Sequence, residues 1–205
     1  MKGSHRSGFT LLEVILAMTL TAIVMIKVTG ARRSATETTE ADLDRTTLDM
    51  QARQVLRQIG FAIMGSHPDS LVPDVRRPHA SSDMKFQVSL GLESGEVVWS
   101  EPEKIALEEV RRQVYWTDNP EALEERRVVW TSLVAPFLEG EIPNGIDDNG
   151  NGLIDEKGLS FTIDGGAVDM SLTLERVRDD GTVITSTVGT VVTCRNLVDG
   201  WRSAR

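Results

Sequence analysis

Apolar positions fall into three patterns along the chain. From Leu11 to Ile26 they fill almost every place, interrupted by Glu13, Thr19 and Thr21. A helix that is hydrophobic on all sides belongs in a membrane or in the core of an assembly. From Ser34 to Thr47 the chain turns polar. Apolar residues then return at Leu48, Ala52, Val55, Ile59, Ala62 and Ile63. Spacings of three, four and one keep these on one helical face. Gly65, Ser66 and Pro68 are stop signals. The pattern predicts one long helix from Phe9 to about Gly65, with a break near Gly30, whose second half docks on a globular head.

Beyond Pro68 the period changes. Pro68, Pro73 and Pro78 mark a surface connection up to Ser82. Met84 to Leu90 alternates apolar and polar residues, as a half-buried strand does. Further strands are predicted at 96–99, 110–116, 126–134 and 159–163, while 105–109 fits helix or strand. The clearest alternation is Val168 to Val177, with Val168, Met170, Leu172 and Leu174 inward and Asp169, Ser171, Thr173 and Glu175 outward. Asp179-Asp180-Gly181 is a turn signal, and Thr182 to Thr193 supplies the hairpin partner. A long N-terminal helix followed by antiparallel strands is an α+β fold.

Charge narrows the function. The formal net charge is −9, whereas nucleic-acid binding calls for a basic stripe. No nucleic-acid partner is expected. The lone cysteine, Cys194, permits no intramolecular disulfide and reads as a small buried residue near the end of a strand. The 205 residues suit a helical spine with one head.

Glu13 is the anomaly, a carboxylate at the start of a run of thirteen uncharged residues, Val14 to Ile26. A charge at a membrane helix centre costs roughly 2.5–3.5 kcal/mol on insertion scales and marks a functional site. A cut between Gly8 and Phe9 would create an α-amino group four residues from Glu13. That amine titrates near pH ~7.7–8.0, so it is largely cationic and can pair with the Glu13 of an adjacent chain. An ordinary secretory signal with a cleavage site at Val28-Thr29-Gly30, or a plain signal anchor, has no use for Glu13.

The run Gly8-Phe9-Thr10-Leu11-Leu12-Glu13, behind a short leader carrying Lys2, His5 and Arg6, resembles the signature of the type IV pilin and pseudopilin family. The resemblance implies leader cleavage after Gly8 by a prepilin peptidase, N-methylation of Phe9 by the same peptidase/methyltransferase, and filament assembly through Glu13. It implies a leader at 1–8, a transmembrane half-helix at 9–28, a periplasmic half at 29–65 and a β-rich head at 66–205. Arg32 and Arg33 nearly balance the leader's positive charge, so the positive-inside rule is indecisive. The resemblance sets the orientation, with the leader in the cytoplasm and a single pass through the inner membrane. Loss of the leader removes Lys2 and Arg6 and makes the mature chain more acidic by two charges.

The size of the head, its two-part sheet and its closing hairpin ending in Cys194-Arg195-Asn196-Leu197 are most like a J-type minor pseudopilin of a type II secretion system. Such a subunit joins other pseudopilin subunits at the tip of a short periplasmic filament that drives protein export. A minor pilin of a type IV pilus shares the signature. A major pilin, whose head often closes with a C-terminal disulfide, fits less well.

Residues 144–158 form a second feature. Asp147, Asn149, Asn151 and Gly152 match positions 1, 3, 5 and 6 of the calcium-loop template. Leu153 offers a carbonyl at position 7, and Asp155 stands at position 9. Gly158 stands at position 12, where a bidentate Glu belongs, and Glu156 is the candidate substitute. The expected cofactor is a structural calcium held at ~10⁻⁴–10⁻³ M, the range of extracellular modules. This loop keeps a membrane-anchored calcium-dependent binding module open as a second function class. No catalytic residue is expected: His5, His67 and His79 are scattered, and no nucleophile, phosphate-loop or H-E-x-x-H motif occurs. Trp99, Trp116, Trp130 and Trp201 read as packing residues rather than a ligand platform.

Overall fold

A computed structural model describes residues 10–123 and 125–195. Helix α1 spans Leu11–Met64, and nine strands follow among the described residues. They are β1 (Asp83–Phe86), β2 (Ser89–Glu93), β3 (Glu96–Trp99), β4 (Glu103–Glu108), β5 (Gln113–Asp118), β6 (Arg126–Thr131), β7 (Leu159–Asp164), β8 (Ala167–Val177) and β9 (Val183–Thr193). This is the expected α+β, pilin-like arrangement of a long N-terminal apolar helix and antiparallel sheets. The chain divides into two compact units, Met1–Asp44 and Arg45–Arg205.

In the first unit α1 continues through Gly30, where a break was expected. A single glycine costs a helix only about 1 kcal/mol, less than the loss of a turn of ladder hydrogen bonds. The threonine hydroxyls of the apolar segment are satisfied within the helix. Thr21 Oγ1 donates to the Ala17 carbonyl at 2.8 Å and Thr29 Oγ1 to that of Met25 at 2.8 Å. Such back-bonding leaves no hydroxyl requiring a partner in lipid.

In the second unit the apolar stripe of α1 is the spine of the core. Leu48, Ala52, Val55, Ile59 and Ile63 are buried as the spacing predicts, and Leu56 joins them. They pack with Met84, Phe86, Ile105, Phe161, Met170 and Leu172 from the sheets. Ile59 is fully enclosed. Ile59→Ala should therefore cost about 2–5 kcal/mol, measured as a lower denaturation midpoint of the intact chain. A change below 1 kcal/mol would contradict this packing.

The strands form a four-stranded sheet in the order β1-β4-β5-β6, a β2-β3 hairpin, and a three-stranded sheet in the order β7-β8-β9. The run 84–90 is two strands rather than one. Gln87 and Val88 are drawn out of the ladder: Val88 N–H donates to Ser100 Oγ at 2.9 Å, and Gln87 Nε2 to the Ser100 carbonyl at 3.0 Å. The ambiguous 105–109 is strand up to Glu108, the end of β4, and the next run begins later than expected, at Gln113, after Arg112 takes a positive φ of 57°. The run 126–134 stops as a strand at Thr131, and its end changes sheets. Glu175 N–H donates to the Leu133 carbonyl at 2.7 Å, and Ala135 N–H to that of Thr173 at 2.9 Å.

In β8 the four inward residues are fully buried. Thr173, expected outward, is buried too. The segment after β6 folds over it, and Glu139 N–H donates to Thr173 Oγ1 at 3.2 Å. The predicted turn forms as expected, with Thr182 N–H donating to Asp180 Oδ1 at 2.8 Å.

Candidate functional site

Two stretches carry the chemistry, the acidic loop and the start of α1. The loop leaves β6 through Val134–Leu138 and returns at Gly158. Asp147 organises its middle. Its Oδ1 accepts from Gly150 N–H at 2.6 Å and Asn151 N–H at 3.2 Å, and its Oδ2 accepts from Gly152 N–H at 2.8 Å. Gly150 and Gly152 both take positive φ, 76° and 86°, which lets the backbone curl around this carboxylate. Asn149 Oδ1 accepts from Asn151 N–H at 3.0 Å, and Asn151 Oδ1 from Leu153 N–H at 2.8 Å. The residues at template positions 1, 3 and 5 thus turn their oxygens inward along successive tight turns.

The later template residues behave differently. Asp155 turns toward the loop's entry, where it accepts from Asn144 N–H at 2.9 Å and Gly145 N–H at 2.9 Å. Leu153 buries its side chain and anchors the loop on the head. Glu156 is only 2 % exposed; its Oε1 accepts from Asn151 Nδ2 at 2.6 Å.

Glu141 stands outside the template and was not legible as a site residue. It is 8 % exposed, and its Oε1 accepts from Asn149 N–H at 3.0 Å. Burial pushes its carboxyl above the usual range, and the neighbouring Glu156 and Asp148 charges push the same way. No sequence signal marks Glu141, because it lies six residues before Asp147 and only folding brings the two segments together. The proline-rich connection also holds the loop. Arg77 Nη1 donates to the Asn151 carbonyl at 2.6 Å and Nη2 to Asp169 Oδ2 at 3.0 Å, while Ile154 N–H donates to the Pro78 carbonyl at 3.0 Å. Among the described residues no three His, Cys, Asp or Glu side chains are grouped closely enough to hold a metal by themselves.

The three described tryptophans pack or pair. Trp116 and Trp130 lie half-buried against the core, Trp116 Nε1 donates to Glu103 Oε2 at 2.6 Å, and Trp99 sets its ring edge-on to His67. Trp201 lies outside the described residues. Cys194 is free and buried, and burial raises its thiol.

At the start of α1, Thr10 caps the helix. Its Oγ1 accepts from Glu13 N–H at 3.3 Å, and its carbonyl accepts from Glu13 and Val14. Glu13 is the acidic residue of the first turn, where the helix dipole favours negative charge. Leu11, Leu12, Val14, Ile15, Leu16 and Met18 around it are all exposed. The segment Leu11–Arg32, 22 residues, is long and apolar enough to cross a membrane, where about 20 are needed. Residues 3–26 match the family model of the prokaryotic N-terminal methylation motif. No curated protein and no solved structure matches the chain.

The methylation motif is consistent with the type IV pilin and pseudopilin family, a structural rather than an enzymatic one. In motif and in architecture the chain is type IV pilin-like. The motif implies processing by a prepilin peptidase and assembly with pilin-type subunits, and the apolar half of α1 fits a single-pass membrane anchor. Gly8 and Phe9, the expected cleavage pair, lie inside the matched stretch but outside the described residues.

Proposed function

We infer that this protein is a minor pseudopilin of a type II secretion system. It is anchored in the inner membrane with its head in the periplasm, and it co-assembles with other pseudopilins at the tip of a short filament. The observation that carries the reading is Glu13, an acidic residue within the matched span and in the first turn of α1, whose apolar half is exposed. An exposed carboxylate there is expensive in lipid and useful only with a cationic partner. The amine of a processed Phe9 on a neighbouring subunit is such a partner. Pairing would hide both charges and set the register between chains. The lone buried cysteine supports a head closed without a disulfide, unlike many major pilins.

Glu13→Ala tests the pairing. Truncating one member of a buried charge pair costs about 2–5 kcal/mol. The variant should be processed normally, insert in the membrane, and be recovered with partner subunits at least tenfold less often in site-specific cross-linking. Co-assembly at the wild-type level would refute the pairing. Cross-links confined to the subunits of a long surface pilus would assign the chain to a minor pilin instead.

A further inference from the structure

We propose that the acidic loop is a calcium site whose charge comes from two buried glutamates, Glu141 and Glu156, rather than from a carboxylate at the last template position. This stands independently of the filament assignment. Both side chains are more than nine-tenths buried, and each has one oxygen, Oε2, enclosed with no hydrogen-bond donor. Each is held against the loop by its other oxygen, Glu141 through Asn149 N–H and Glu156 through Asn151 Nδ2. The two orphaned oxygens therefore belong to groups fastened to alternate positions of one template. Two buried carboxylates on one loop are costly in the charged state unless a cation neutralises them.

No side-chain cation fills that role. Among the described residues neither glutamate has an ion-pair partner. Lys157, the cation within the loop, pairs with Glu109 and lies over the Phe137 ring, and Arg77 spends its guanidinium on the Asn151 carbonyl and on Asp169. The available donors are carboxylate, amide and carbonyl oxygens, with no His or Cys in the loop. That set suits calcium, which takes about six to eight oxygens, and does not suit zinc.

Packing explains why the template's closing Glu is missing. A Cβ on Gly158 would lie 1.9 Å from the Ala135 carbonyl oxygen and 2.8 Å from Val134 Cγ1. No side chain fits at that position. Glu156, two residues earlier, and Glu141, from the opposite arm of the loop, are the carboxylates that the fold can still bring to the ion. The side-chain oxygens of Asn149 and Asn151, fastened beside them, and backbone carbonyls of the loop complete the oxygen set.

The test is calorimetric titration of calcium chloride into the full, detergent-solubilised chain, with thermal melts in calcium and in EGTA. Wild type should bind one calcium and gain ~5–10 °C in Tm at calcium a hundredfold above Kd. Glu141→Gln and Glu156→Gln, which keep the acceptor oxygen, should each raise Kd at least tenfold. In EGTA both variants should melt no lower than wild type, since each relieves repulsion between buried carboxylates. Absence of heat and of a Tm shift in wild type, a result that requires no variant, would overturn the site. Wild-type affinity in Glu141→Gln would overturn the role of Glu141.

Discussion

Gly8→Ala should leave the leader attached. The expected cut after Gly8 lies inside the matched residues 3–26, and the proposed pairing depends on the amine that this cut would release. Without cleavage Phe9 has an amide where it should have a cation, and no α-amino group lies near Glu13. The leader also keeps Lys2 and Arg6 at that end of the chain, and drawing them into an assembly of apolar helices would cost about 2.5–3.5 kcal/mol each. The variant should therefore accumulate in the membrane as a monomer. Intact-mass measurement and N-terminal sequencing of membrane-purified protein decide the matter. Wild type should begin at methylated Phe9, and the variant should begin at Met1 with no added methyl group. A variant processed like wild type would remove the basis for the pilin pathway, and the acidic loop would become the leading functional feature.

Gly158→Ala should be the most destabilising single-methyl change in the head. Overpacking usually costs about 1–3 kcal/mol because neighbouring side chains can give way. Here the first atom met is a backbone carbonyl oxygen, 1.9 Å from the added carbon. Relief requires the Val134–Pro136 segment to separate from Gly158. That movement strains the hydrogen bond from Gly158 N–H to the Pro136 carbonyl, 3.3 Å, and the one from Thr173 N–H to the Gly158 carbonyl, 2.8 Å. These bonds tie the loop's exit to its entry segment and to β8, so loss of at least about 3 kcal/mol is expected, or roughly 6–12 °C in Tm for a chain of this size. Calcium should no longer protect the variant, since Glu156 lies on the displaced arm. Differential scanning calorimetry in calcium and in EGTA reads both effects. A fall under 2 °C would mean that the contact is not as close as described.

What could be read directly from the sequence was whatever local periodicity encodes. The all-round apolar run, the stripe from Leu48 to Ile63, the alternation of Val168 to Leu174 and the Asp180-Gly181 turn each report which face of one element is buried. They led to the long helix, the antiparallel sheets and the α+β class. The oxygen-bearing spacing of Asp147, Asn149 and Asn151 likewise reports a local curl of backbone. Tertiary structure decided what depends on partners distant in sequence. The run 84–90 split because Val88 bonds to Ser100 instead of continuing its ladder. Thr173 was buried because residues around Glu139 cross over it. Arg77, in a connection that reads only as loop, reaches Asn151. Glu141 has no local pattern to distinguish it from any surface acid, and Gly158 resembles any loop glycine until Ala135 is packed against it. Period and spacing describe the environment of one segment. Pairing, enclosure and steric exclusion arise only when segments far apart in the chain compete for the same space.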